Sequence, residues 1–215
     1  MKRRYALRDD QWERIKDLLP GRTGLAGATA RDNRLFIDAV LYRYRAGIPW
    51  RDLPERFGDF RVVHLRHMRW SQRGALAQAI GRSRGGLSTK IHATVDALGN
   101  PTGFHLTPGQ ASDLEGADAL LSGNAAHTLI ADKAYDAHER VVRPLLEMGK
   151  TVVIPCLRTR KIQRDYDRHL YKARHLIENF FARLKQYRAI ATRYDKTAAA
   201  FLGAVHLVGA ITWLN

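Results

Sequence analysis

Two stretches of the chain carry residues whose types and spacing could do chemistry. The first runs from Tyr171 to Lys185. Read as a helix at about 100° per residue, it gathers Tyr171, Arg174, Glu178 and Lys185 within an arc of roughly 60°. Leu170, Ile177, Phe181 and Leu184 fall on the adjoining arc, so one side can bury while the next presents a carboxylate among cations and a phenol. That set suits holding a metal ion against a phosphate backbone. It also describes a solvated helix face with local ion pairs. The second stretch centres on Asp132, which follows the short apolar run Thr128-Leu129-Ile130-Ala131 and precedes Lys133. A carboxylate at a strand end, where a loop opens, is where α/β sheets usually present functional groups. Its alternative is a helix cap beside Asp136. Two-metal phosphoryl transfer places dications about 4 Å apart, and such hard cations prefer carboxylate oxygens.

The elements that must position these acids follow from periodicity. A helix carrying Trp12, Ile15, Leu18 and Leu19 starts from Asp9 or Asp10 and stops at Pro20-Gly21. Leu35, Ile37, Val40, Leu41 and Tyr44 predict a second helix ending at Gly47. A short helix from Asp52 to Phe57 turns at Gly58, and a basic helix runs from about Arg61 to Gln72 with Val63 and Trp70 as packing residues. Helix, glycine turn and basic helix is the outline of a helix-turn-helix module. His64 and His67 stand at helical spacing for a metal, but no carboxylate is nearby and they read as basic surface.

The pattern changes at Gly81. Gly81 to Gly86 is a basic loop that lacks the Gly-Lys-Ser/Thr close of a phosphate-binding loop. Thr89 to Asp96 alternates as a strand, Asp96 to Pro101 turns, and Gly103 to Thr107 returns. A helix over about Ser112–Leu121, the strand before Asp132, and a helix opened by an Asp136/Glu139 capping box come next. Pro144 shortens that helix, and a second buried strand spans Thr151 to Ile154. A basic loop from Leu157 to Arg168 leads into the helix holding Glu178, and an apolar helix closes the chain. This order is an α/β layer architecture after a small all-helical module, with a division expected between residues 1–80 and 81–215.

Charge narrows the partners. The 215 residues carry a formal net charge of +15, so the surface attracts polyanions, of which nucleic acid is the usual one. A single cysteine, Cys156, excludes an intramolecular disulfide and a thiolate zinc cluster, and fits a reducing cytoplasm. The charged start, Met1 to Tyr5, lacks the apolar core of a signal peptide. The stretch Ala198–Leu214 is short for a bilayer and is broken by His206 and glycines, so no membrane partner is expected.

Several runs carry a resemblance. Gly47 to Gly58 (GIPWRDLPERFG), Gly81 to His92 (GRSRGGLSTKIH), Leu106 to Asp113 (LTPGQASD), Ala131 to Asp136 (ADKAYD), Tyr171 to Lys185, and Ile190 to Lys196 (IATRYDK) together resemble bacterial insertion-sequence transposases of the IS-five group. The match spans nearly the whole chain in the right order. It implies a ribonuclease-H-like DDE core that uses Mg2+ or Mn2+ to cleave and join DNA. It also implies terminal inverted repeats and target DNA as partners, a homodimer to hold two ends, and a bacterial cytoplasm with nucleoid association. Residue by residue, it makes Asp132 and Glu178 catalytic metal ligands. Tyr171, Arg174 and Lys185 become the groups around that glutamate that hold DNA phosphates, and Arg82, Arg84, Lys90 and Lys133 join the DNA-contacting set.

The sequence departs from that pattern at one point. The family's first catalytic aspartate lies on the opening strand of the core, yet no Asp or Glu occurs from Phe60 through Val95. The strand and its carboxylate are therefore expected to be missing, and Asp96 reads as a turn residue. Without a bridging carboxylate, two dications repel and one binds poorly. Two functions follow: a metal-dependent transposase with impaired catalysis, or a binding protein that occupies the inverted repeats without cutting them.

Overall fold

The computed structural model describes residues 5–21, 30–71, 81–83 and 86–214, the side chains of 81–83, 86 and 87 excepted. In chain order the elements are α1 (Asp9–Ile15), α2 (Asn33–Ala46), α3 (Phe60–Ser71), β1 (Gly81–Ser83), β2 (Gly86–Val95), β3 (Pro101–Pro108), α4 (Asp113–Leu121), β4 (Thr128–Ile130), α5 (Arg143–Glu147), β5 (Thr151–Val153), α6 (Arg168–Tyr171), α7 (His175–Lys185), α8 (Arg188–Ala191) and α9 (Ala198–Thr212). Residues 1–78 and 182–215 make one compact unit, and 79–181 make another. The expected division at residue 80 assigned the last helices to the core. They pack instead on the N-terminal helices, α9 against α3 and α8 against α2.

In the helical unit, Asp32 caps α2 by accepting a hydrogen bond from Leu35 N at 2.8 Å. Phe36, Ile37, Val40, Leu41 and Tyr44 bury its apolar stripe. Gly47 ends the helix at φ +66°, and a Cβ there would lie 2.6 Å from Arg188 Cβ, so neither the backbone nor the space admits a side chain. The residues read as one short helix at 52–57 form two 3-10 turns, Trp50–Asp52 and Glu55–Phe57, before Gly58. Thr197 caps α9, whose Phe201, Ala204, Val205 and Val208 are buried.

At the centre of this unit sits a polar cluster. Arg43 and Asp195 pair at 2.8 Å with side chains only 3% and 6% exposed. The Arg43 guanidinium lies 4.6 Å from the Trp50 ring centroid, and Trp50 stacks on His64 at 5.1 Å. The Tyr44 hydroxyl meets His67 Nε2 at 2.5 Å. Burial pushes the His67 imidazole down to about 4. His67 is therefore a neutral core residue, which corrects its reading as basic surface. Its partners come from Tyr44 and Trp50, distant in the chain, so its own neighbourhood in sequence gave no sign of them.

In the second unit, β2 pairs antiparallel with β3 from Thr89↔Pro108 to Val95↔Pro101, and with β1 only over residues 86–88. β4 and β5 pair in parallel, forming a separate two-stranded sheet. Ser112 caps α4 through Leu114 N. Ala117, Val141, Val142, Leu145 and Ile154 form the core beside β4 and β5. The Asp136/Glu139 capping box does not form. Ala137 occupies the cap position of a π-helical turn, His138–Val142, and α5 begins with Pro144 in its first turn. The Asp136 carboxylate is drawn elsewhere, by donors in the basic loop. Among the described residues no helix is long and apolar enough to cross a membrane.

Candidate active site

Asp132 stands just past β4, where the chain leaves the sheet. Its Oδ1 accepts a hydrogen bond from Ala134 N at 2.8 Å, so it caps the following 3-10 turn Lys133–Tyr135. Capping spends one lone pair and leaves the second oxygen available. Glu178 sits in the first turn of α7 and pairs with Arg174 at 2.6 Å. The helix around it differs from the continuous one expected over 171–185. Asp167 caps α6 through His169 N and Leu170 N, and a 3-10 turn at Lys172–Arg174 joins α6 to α7.

Asp132 and Glu178, 46 positions apart in the sequence, both line one cavity of about 770 Å³. Ile91–Val95 of β2, Thr128–Ile130 of β4, and residues of α4 and α7 form its walls. Tyr135 also lines it, its phenol pushed up to about 12 by burial and by the charges of Asp113 and Asp132. Asp96 reaches the same cavity, but its carboxylate is occupied by Leu98 N, Asn100 N and Asn100 Nδ2. Burial works against its charge, and those donors outweigh it and lower its titration. Asp96 is the turn residue it was expected to be.

Among the described residues no three His, Cys, Asp or Glu side chains gather as a metal site. The remaining residues cannot supply a third acid, because none of them is Asp or Glu. Two carboxylates can hold one dication. They do not make the bridged cradle that two closely spaced dications need.

The other site residues divide by what they already hold. Lys133 and Lys185 are exposed. Arg174 lies 5.7 Å from the Tyr171 ring centroid while pairing with Glu178, and Tyr171 meets Tyr166 edge-on at 5.4 Å. Lys90 donates to Ala111 O at 2.7 Å and to Asp113 at 2.8 Å, so its charge is used within the fold. Arg84 and the side chain of Arg82 lie outside the described residues.

One residue of this region escaped the sequence reading. Asp136, with its side chain 0% exposed, accepts from Leu157 N at 2.8 Å, Arg160 Nε at 2.8 Å and Arg164 Nη2 at 2.6 Å. Burial opposes its charge, yet these donors hold it below the usual carboxylate range. It thus ties the basic loop Leu157–Arg168 to the end of β4. The available signal was a loop with far more cations than a solvent turn needs, which implied an internal anion.

Comparison with known proteins identifies the family. Residues 7–80 match the family described as "Putative transposase of IS4/5 family", and residues 57–213 match the family described as "Transposase DDE domain". The chain is 44% identical over 130 residues to the Brucella ovis protein named "Putative transposase for insertion sequence element IS6501", covering 60% of this chain and all of that protein. It is 50% identical over 74 residues to the uncharacterized protein y4sN of Sinorhizobium fredii, covering 34% of this chain and 59% of that one. No solved structure matches.

Proposed function

Because the chain belongs to the DDE transposases of insertion sequences, we propose that it binds the ends of such an element and is impaired in cutting them. The observation that carries this is the cavity lined by Asp132 and Glu178, where the other acid, Asp96, is held by its own turn and no three acids gather as a metal site among the described residues. The family's chemistry is metal-dependent phosphoryl transfer, with a dication or two steadying the attacking and leaving oxygens. Here the residues present suit one dication at most, so strand cleavage and joining are slow or absent.

DNA binding needs no such completeness. A net charge of +15 supplies sequence-independent attraction to phosphates. Lys133 and Tyr171 are the contacts we assign in the unit that holds the acids, and Lys185, Arg82 and Arg84 are further cations we assign to the duplex. Arg174 orients Glu178, and Lys90 braces the strand that carries it. Asp136 fixes the basic loop, leaving Arg158, Lys161 and Arg168 exposed for the duplex. Two copies holding the two inverted repeats would meet the geometry of an element with two ends.

Strand transfer on a plasmid carrying the element's ends, with Mg2+ or Mn2+, tests the reading. Binding with cleavage near background supports it. Robust joining that Asp132→Asn abolishes would overturn the impairment and restore the full enzyme. Binding measured from low to physiological salt should weaken by orders of magnitude, as released counterions dictate. A flat profile would remove the electrostatic basis for DNA as the partner.

A further inference from the structure

The same cavity has a second property that DNA chemistry does not use. It lies where the sheet of this unit is interrupted. Beyond residue 89, β2 pairs only with β3 among the described residues, and β4 pairs only with β5. In an antiparallel ladder, alternate residues turn their N–H and C=O groups to the side away from the partner. β2 therefore offers a row of outward backbone groups over Ile91–Val95, and β4 offers another on its open edge. Both segments line the one cavity.

Its size and chemistry favour polypeptide. A strand in a packed sheet occupies about 3.3 Å along its axis per residue, about 4.8 Å across and about 10 Å through. A cavity of about 770 Å³ then matches roughly five residues. Ile91, Val95, Leu120, Leu129, Ile130 and Phe181 give it apolar walls, so its occupant must be apolar on both faces, as a central strand is. Charge marks the rim. Asp96 and Asp132 reach the cavity bonded to backbone and amide donors, and among the described residues no cation pairs with either. Arg174, the cation in the lining, is engaged by Glu178. A peptide flanked by Lys or Arg would meet complementary charge.

We propose that this cavity docks an extended strand of a second polypeptide chain, an apolar run of about five residues with basic flanks. The strand adds to the open edges of β2 and β4, joining two sheet fragments by main-chain hydrogen bonds, with alternate side chains filling the apolar walls. The inference does not depend on whether the chain cleaves DNA.

A fluorescein-labelled peptide, Lys-Val-Ala-Val-Ile-Ala-Lys, titrated against the full-length chain by anisotropy, tests it. Saturable binding is expected. Methylating two alternate backbone nitrogens of the peptide should weaken binding at least tenfold, because it removes donors and leaves the apolar side chains. Replacing both lysines by glutamate should weaken it several-fold. Amide exchange should slow at residues 91–95 and 129–130 when the parent peptide is bound. No binding, or equal binding of the methylated peptide, would overturn the proposal, the second outcome marking a general apolar pocket. A protein that binds DNA with the expected salt dependence but ignores the peptide would lose this inference while keeping the proposed function.

Discussion

The two compact units solve the same problem, burying charge beside an apolar core, in opposite ways. In the helical unit the buried Arg43 guanidinium meets Asp195 and the face of Trp50. Two motifs at opposite ends of the sequence, GIPWRDLP and IATRYDK, are thereby locked together in one core. In the sheet-containing unit the strands stand in two separate sheets, and carboxylates line the space that both sheets border. The first arrangement spends its charges on stability. Among the described residues, the second leaves one Asp132 oxygen without a partner and leaves strand edges unpaired, which is costly for a core and useful for a site.

The largest expected effect tests the closed unit. Asp195→Ala removes one member of a buried pair and leaves Arg43 charged and unmatched. Such losses cost about 3–5 kcal/mol, which denaturant unfolding would read directly. A cost under about 1 kcal/mol would mean that water reaches Arg43 and that the unit is not closed. Next comes pH. His67 titrates at about 4 when folded, against about 6.5 in an unfolded chain. Below 6.5 the unfolded state binds the extra proton first, so stability present at neutral pH falls as pH drops from 6.5 toward 4. The loss is about 3 kcal/mol at most. Unfolding curves of His67→Gln should show a flatter profile across that window; an identical slope would exclude His67 as its source.

How far the sequence showed this in advance varied with the range of each interaction. Local signals were legible. Gly47 ending α2, Ser112 capping α4 and the β2–β3 hairpin all depend on residues within a few positions of one another. The strand end before Asp132 and the amphipathic helix of Glu178 were legible too, and both residues line one cavity. Long-range partners were not. Asp136 looked like a cap until Arg160 and Arg164, 24 and 28 residues on, took its oxygens. Arg43 gave a partial sign. It lies at helical spacing from Phe36 and Val40, on a stripe that buries, yet nothing local named Asp195, 152 positions away.

A smaller pair of effects sharpens the contrast between closed and open packing. Ala204 is 0% exposed in α9, and Ala204→Leu should cost about 1–3 kcal/mol by overfilling a close-packed site. Ala93 lines the cavity on β2, so Ala93→Leu should be tolerated within about 1 kcal/mol or raise stability slightly, since the added atoms enter open space. Thermal unfolding of the two variants side by side decides it. Equal penalties would mean that the cavity collapses in solution and that the second unit is as closed as the first.

The smallest effects fall on the acids themselves. Asp132→Asn keeps a side-chain oxygen for Ala134 N, and asparagine caps about as well as aspartate, so stability should shift by no more than about 0.5 kcal/mol. Glu178→Gln gives up an exposed i,i+4 pair with Arg174, worth about 0.3–0.5 kcal/mol. If either residue serves the fold, its substitution will cost far more than this. If both serve a dication, the two variants will unfold like the parent while Mn2+ binding, followed by electron paramagnetic resonance of the free ion, weakens at least tenfold in each. Equal Mn2+ affinity in parent and variants would leave the acids lining a cavity without a metal role, and would shift the weight of this unit's function from phosphoryl chemistry to its open strand edges.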